Sequence, residues 1–158
     1  MSRKVEPMPQ GNLTPVTRDV PVDTRVQLAA LWTSTMCCYI YCDYFALYIP
    51  GKLDGMLRGD MGPLGAVSQV TLMGTSLLMA VPSMMIAFSV LSPVRLARTV
   101  NIVVGTFYAL LLTLLAVTTS WYFYTFFAAL EAALAAVVVA RAWSWPATRP
   151  ADNISGAG

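Results

Sequence analysis

The chain has 158 residues, of which 57% are hydrophobic and only 11% charged, with a mean hydropathy of +0.63. A soluble domain carries about 25% charged residues, so the expected solvent is a lipid bilayer rather than water. A net charge of +2 offers no basic patch for a phosphate backbone, which excludes nucleic acid, and the lack of any histidine removes the usual general base and the commonest metal ligand.

Residues 1–25 hold four prolines and seven charges, a composition that reads as a disordered cytoplasmic tail. It does not read as a signal peptide, because the apolar run that follows starts late, is long and lacks a small-residue cleavage site. Four apolar segments come next, at 26–49, 66–91, 100–118 and 121–143. Each is near the length of about 20 residues that a helix needs to span a bilayer. They lack period-2 alternation and are too long for barrel strands. The predicted fold class is therefore an all-α membrane protein, a four-transmembrane-helix bundle over 26–146, with 147–158 a disordered C-terminal tail.

The connections carry information of their own. Between the first two segments, PGKLDGMLRGDMGPLG places Leu53, Met56 and Leu57 on one side of a helical turn. Lys52, Asp54, Arg58 and Asp60 fall on the other. That pattern predicts a short amphipathic piece lying on the membrane surface, weakened by Gly55 and Gly59. SPVRLAR joins the second and third segments. The third and fourth are almost directly joined near 118–120, which predicts an antiparallel hairpin. The tail, the second loop and the C-terminus hold Arg3, Lys4, Arg18, Arg25, Arg95, Arg98, Arg141 and Arg149, against Lys52 and Arg58 on the other side. The bias places both termini in the cytoplasm. Trp121, Tyr122 and Tyr124 then mark the outer interface, and Trp143 and Trp145 the inner one.

Two carboxylates fall within the apolar segments. Asp43 lies six residues before the end of the first segment, about 9 Å below the outer surface at the helical rise per residue. Glu131 lies ten residues into the fourth, about 15 Å down. An ionised Asp at the centre of a membrane helix costs about 2.5–3.5 kcal/mol on insertion scales, so each acid should be neutral, hydrogen-bonded or facing water. Helical spacing puts Trp32, Met36, Tyr39, Ile40 and Leu47 on the face of Asp43. It puts Tyr124, Phe127, Ala128, Leu134 and Ala135 on that of Glu131. Asn101, Gly105 and Tyr108 line one face of the third helix, and Pro82 is expected to kink the second. The candidate polar site is therefore Asp43, Glu131, Tyr39 and Asn101. Either the acids share or relay a proton in the bundle interior, or each is a neutral donor that holds helices together.

Cys37, Cys38 and Cys42 form no C-x-x-C pair, so neither a zinc centre nor a redox dithiol is expected, and they read as small apolar residues. Met73, Met79, Met84 and Met85 do not fall on one stripe, which argues against a soft-metal site. No catalytic residue, metal or cofactor is expected. Tyr41, Tyr44 and Tyr48 read as an aromatic belt.

The stretches CYIYCDYFALYIPGKL, GPLG, LLMAVPSMMI and AWSWP together resemble a family of small bacterial membrane proteins with four predicted helices and no assigned activity. The resemblance covers roughly residues 25–146. It implies a multi-pass protein of the bacterial inner membrane and carries over no functional residue. The expected function is a non-enzymatic scaffold, accessory or membrane-homeostasis protein. The alternative is a small proton-coupled transporter of lipophilic or cationic solutes, acting as a dimer through Asp43 and Glu131. Expected partners are the bilayer and either a second copy or another membrane protein. Acids facing a shared wet cavity would favour transport, and acids capped in dry packing would favour structure.

Overall fold

The computed structural model describes residues 21–146. The element order is α1 (Thr24–Ala46), α2 (Lys52–Leu57), a 3-10 turn (Gly62–Leu64), α3 (Gln69–Leu91), α4 (Val94–Thr118) and α5 (Tyr122–Trp143). The fold is all-α. The predicted tails lie mostly outside the described residues. Of their parts within them, Pro21–Asp23 leads into α1, and Thr24 and Arg25 already belong to that helix.

Among the described residues three helices, α3, α4 and α5, are long and apolar enough to cross a membrane, against the four expected. The first helix falls short in composition, not in length. It has 23 residues but carries Arg25, Gln27, Thr33, Ser34, Thr35 and Asp43. Its three central hydroxyls bond back to the carbonyls of Ala29, Ala30 and Leu31, at 2.9 to 3.0 Å. The helix therefore satisfies these polar groups itself, in the back-bonding pattern open to Ser and Thr.

Local chemistry sets the helix ends. The Asp23 side chain accepts the backbone N–H of Arg25 at 2.8 Å and caps α1. Pro50 keeps the preceding residue out of the helical region, so α1 stops at Ala46 and the chain leaves through overlapping turns at Leu47, Tyr48 and Ile49. Ser68 and Thr71 form a reciprocal capping box that starts α3 at Gln69, three residues later than the apolar run. Ser92, ahead of Pro93, is extended at ψ 155°, which ends α3. The fourth helix then begins at Val94, six residues earlier than its apolar segment, because the break follows Pro93 and not the charges of Arg95 and Arg98. The amphipathic piece after α1 is the six-residue α2, with Leu53, Met56 and Leu57 exposed.

The four long helices pack in the order α3–α1–α5–α4. The α4·α5 hairpin makes the most extensive pairing, and a thin α3·α4 seam closes the ring. The buried stripe of α1 is Leu28, Trp32, Thr35 and Tyr39, and that of α4 is Ala97, Asn101, Gly105, Tyr108 and Leu112. Both recur at helical spacing and face inward. At Gly105 α4 packs closely against α5. A Cβ placed there would lie 2.9 Å from Val139 Cγ2 and 3.3 Å from Val138 Cγ1. Gly105→Ala should therefore force the helices apart and lower the unfolding midpoint in detergent by the equivalent of about 1 kcal/mol, the lower end of overpacking costs. An unchanged midpoint would mean the seam has slack.

Large apolar side chains cover the exterior of the long helices, among them Val70, Leu91, Leu110 and Val117. Soluble monomers rarely expose apolar surface on this scale.

Candidate functional site

Glu131 sits in the buried stripe of α5, between Ala128 and Ala135, and is 3% exposed. Its Oε1 is buried and has no hydrogen-bond partner among the described residues. Buried polar atoms are nearly always paired, so an orphan oxygen in a core calls for an explanation beyond packing. The residues facing it come from one stretch of α1. Cys38, Tyr39, Cys42 and Asp43 all lie within electrostatic range of the Glu131 carboxyl. Small residues on either side of Glu131 let α1 approach α5 closely there.

Asp43 lies three residues before the end of α1, so it is shallower than its place in the longer apolar segment implied. Its side chain is exposed and lines a cavity of about 600 Å³ between the end of α1, the α2 segment, the start of α3 and Tyr124 of α5. Lys52 lines the same cavity and attracts Asp43 electrostatically, although no ion pair within 4 Å forms among the described residues. Tyr124 also lies within range of Asp43 and Cys42. The site therefore has an outer station, Asp43 beside open space, and an inner one, Glu131 in the core. Tyr39, buried on α1, accompanies the inner station.

Asn101 stands apart. Its Oδ1 accepts the indole N–H of Trp32 at 2.8 Å, and its Nδ2 donates to Ser89 Oγ at 3.1 Å and to Ala97 O at 2.8 Å. The Ser89 hydroxyl in turn donates to Met85 O at 2.7 Å. Every polar atom of this cluster is used, and it ties α1, α3 and α4 together. Gly105 packs against Ala135, Val138 and Val139. At that pairing of antiparallel helices Asn101 lies about 15 Å along the bundle from Glu131. Of the four expected site residues, the structure gathers Asp43, Glu131 and Tyr39 and leaves Asn101 in a structural cluster.

Residues 21–151 match the model of a family described as Family of unknown function (DUF6326), a span that includes all the long helices and both polar clusters. The chain belongs to this family. Comparison with curated proteins and with solved structures finds no match.

In this DUF6326 protein several polar contacts fall outside the pattern that helical spacing exposes. The hydroxyl of Tyr108 donates to Leu78 O. Pro82 stands four residues after Leu78 and has no N–H to give, so the carbonyl it leaves open is met from another helix. Arg25 donates to Val90 O at 2.8 Å and Arg98 to Trp143 O at 3.0 Å. Each arginine stands near the start of one helix and caps the last turn of another, where orphan carbonyls and the helix dipole favour a cation. The proline was a visible signal for the first contact. The arginines resemble any charge flanking an apolar segment until the helix ends are brought together.

Proposed function

We propose that this DUF6326 protein is a four-helix integral protein of the bacterial inner membrane that couples proton binding at Glu131 to a solute at its outer face. It does so without covalent catalysis, and with both termini in the cytoplasm. The observation that carries the reading is the orphan Oε1 of Glu131. A carboxyl kept as interhelical glue would be bonded, as Asn101 is. An unbonded one next to a second acid is suited to gaining and losing a proton. Asp43 lines open space on one side and lies within range of Glu131 on the other, so it supplies the exchange route. Packing of α1 against both α3 and α5 supports its role as a fourth span despite its composition, and its Thr and Ser hydroxyls are satisfied within the helix. Arg25, Arg95, Arg98 and Arg141 all fall at one end of the bundle, and Lys52 and Arg58 at the other, which supports the orientation.

The test is infrared titration of the purified protein in lipid. A protonated-carboxyl band should appear and titrate with pH, and should vanish in Glu131→Gln with the fold intact. Glu131→Leu should leave the unfolding midpoint unchanged or raise it, because no hydrogen bond is lost and an apolar group fills the site. A clear drop in the midpoint would assign Glu131 a bonding role and remove the proton reading.

A second reading, a non-catalytic scaffold or accessory subunit, draws on α3. Its outer half is poorly covered, and Gly74, Leu77, Val81, Val103 and Phe107 line a groove of about 480 Å³ along the α3·α4 seam. A dimer, which transport through four helices would require, would use such a face.

A further inference from the structure

The cavity beside Asp43 is larger than proton exchange requires. At about 600 Å³ it falls within the range of small-molecule sites, and its mouth lies at the end of the bundle where α2 sits. Ile40, Leu47, Met56, Val67 and Leu72 make its wall mostly apolar. Its charged groups are Asp43, Asp60 and Lys52, two carboxylates against one ammonium. These groups are not equally free. Asp60 Oδ1 already accepts the backbone N–H of Gly62 at 2.8 Å. The Lys52 ammonium is turned toward the same glycine, with Nζ 3.9 Å from where a Gly62 Cβ would stand. Neither carboxylate has a cation within 4 Å among the described residues, and Asp43 is the one that also accepts no hydrogen bond there. The aromatic rings of Tyr44 and Tyr124 flank the space, and ring faces attract cations.

We infer that this cavity binds a lipophilic organic cation, with Asp43 as the partner of its charged centre and the apolar wall holding its body. The inference rests on the proton-coupled reading and names the solute class for it. One positive charge enters beside Asp43 and one proton leaves the Asp43–Glu131 pair, so the charge of the site is unchanged. An anionic amphiphile would meet two carboxylates for one ammonium and be repelled.

The experiment is calorimetric titration of the full chain in zwitterionic nanodiscs with tetraphenylphosphonium, against empty nanodiscs. The isosteric anion tetraphenylborate serves as control. Two buffers of different ionisation heat count released protons. Saturable cation binding is expected, weakened at least tenfold by Asp43→Asn and tightened by Lys52→Ala, which removes the competing ammonium. A gain of affinity cannot arise from misfolding. Equal binding of tetraphenylborate, or cation binding indifferent to both substitutions, would overturn the inference. Glu131→Gln should keep the binding and lose the proton release. Binding with no proton release in the wild type would sink the coupling while leaving the cation site standing.

Discussion

Trp32→Ala should be the most damaging single substitution in the bundle, lowering stability by about 3 kcal/mol or more, as truncation of a buried Trp does elsewhere. Trp32 is completely buried, the largest such side chain among the described residues. Its ring meets Tyr108 edge-on with centroids 6.1 Å apart, and its N–H is bonded to Asn101. In lipid the transfer part of the usual penalty shrinks, because an unpacked helix is still in an apolar solvent. What remains is lost packing, the main force between membrane helices. Trp32→Phe separates the two contributions. It keeps a six-membered ring in place and removes the hydrogen bond, for which about 0.6 kcal/mol is the average measured between membrane helices, together with a smaller part of the packing. Unfolding midpoints in detergent should therefore rank wild type, Phe, Ala, with the larger step between Phe and Ala. A larger step between wild type and Phe would mean that the Asn101 cluster, not packing, dominates the core.

Tyr108→Phe should cost about 1–3 kcal/mol, because it removes the hydrogen-bond partner of the Leu78 carbonyl. The explanation through Pro82 makes a sharper claim than the single substitution. In a Pro82→Ala background the restored backbone N–H can bond Leu78 O along the helix, and the tyrosine hydroxyl becomes dispensable. A double-mutant cycle on thermal or denaturant unfolding should then show strong coupling, with Tyr108→Phe nearly silent when residue 82 is alanine. Equal costs in both backgrounds would sever the link between the proline and the tyrosine.

Much of the architecture is legible in the residues, since the long helices are long apolar runs and their inward stripes repeat at helical spacing. The errors have specific causes. Hydropathy placed the start of α4 after its arginines, whereas the backbone break at Pro93 placed it before them. Hydropathy also ran α1 on to Ile49, although Pro50 unwinds the last turn. The expectation that α1 resembles the other three rested on the length of its apolar run, whereas its hydroxyls, Arg25, Gln27 and Asp43 together keep it below the composition of a free-standing span. The acids were conspicuous because carboxylates are rare in such segments, and their neighbours on α1 follow from spacing. Asn101 was grouped with them only because depth along one helix says nothing about register between helices. That register depends on contacts such as Gly105 against Val138 and Val139, and no single helix displays it.

Arg25 and Arg98 bear on how membrane insertion could be studied in this protein. Both count toward the positive charge on which the proposed orientation rests, and both also clamp a neighbouring helix by its final carbonyls. A charge-swap experiment meant to invert the topology by neutralising them would remove two fasteners at once. Molecules that inserted normally but came apart would be misread as inverted. Arg95 and Arg141, whose side chains make no such bond among the described residues, are the positions where address and architecture can be altered separately.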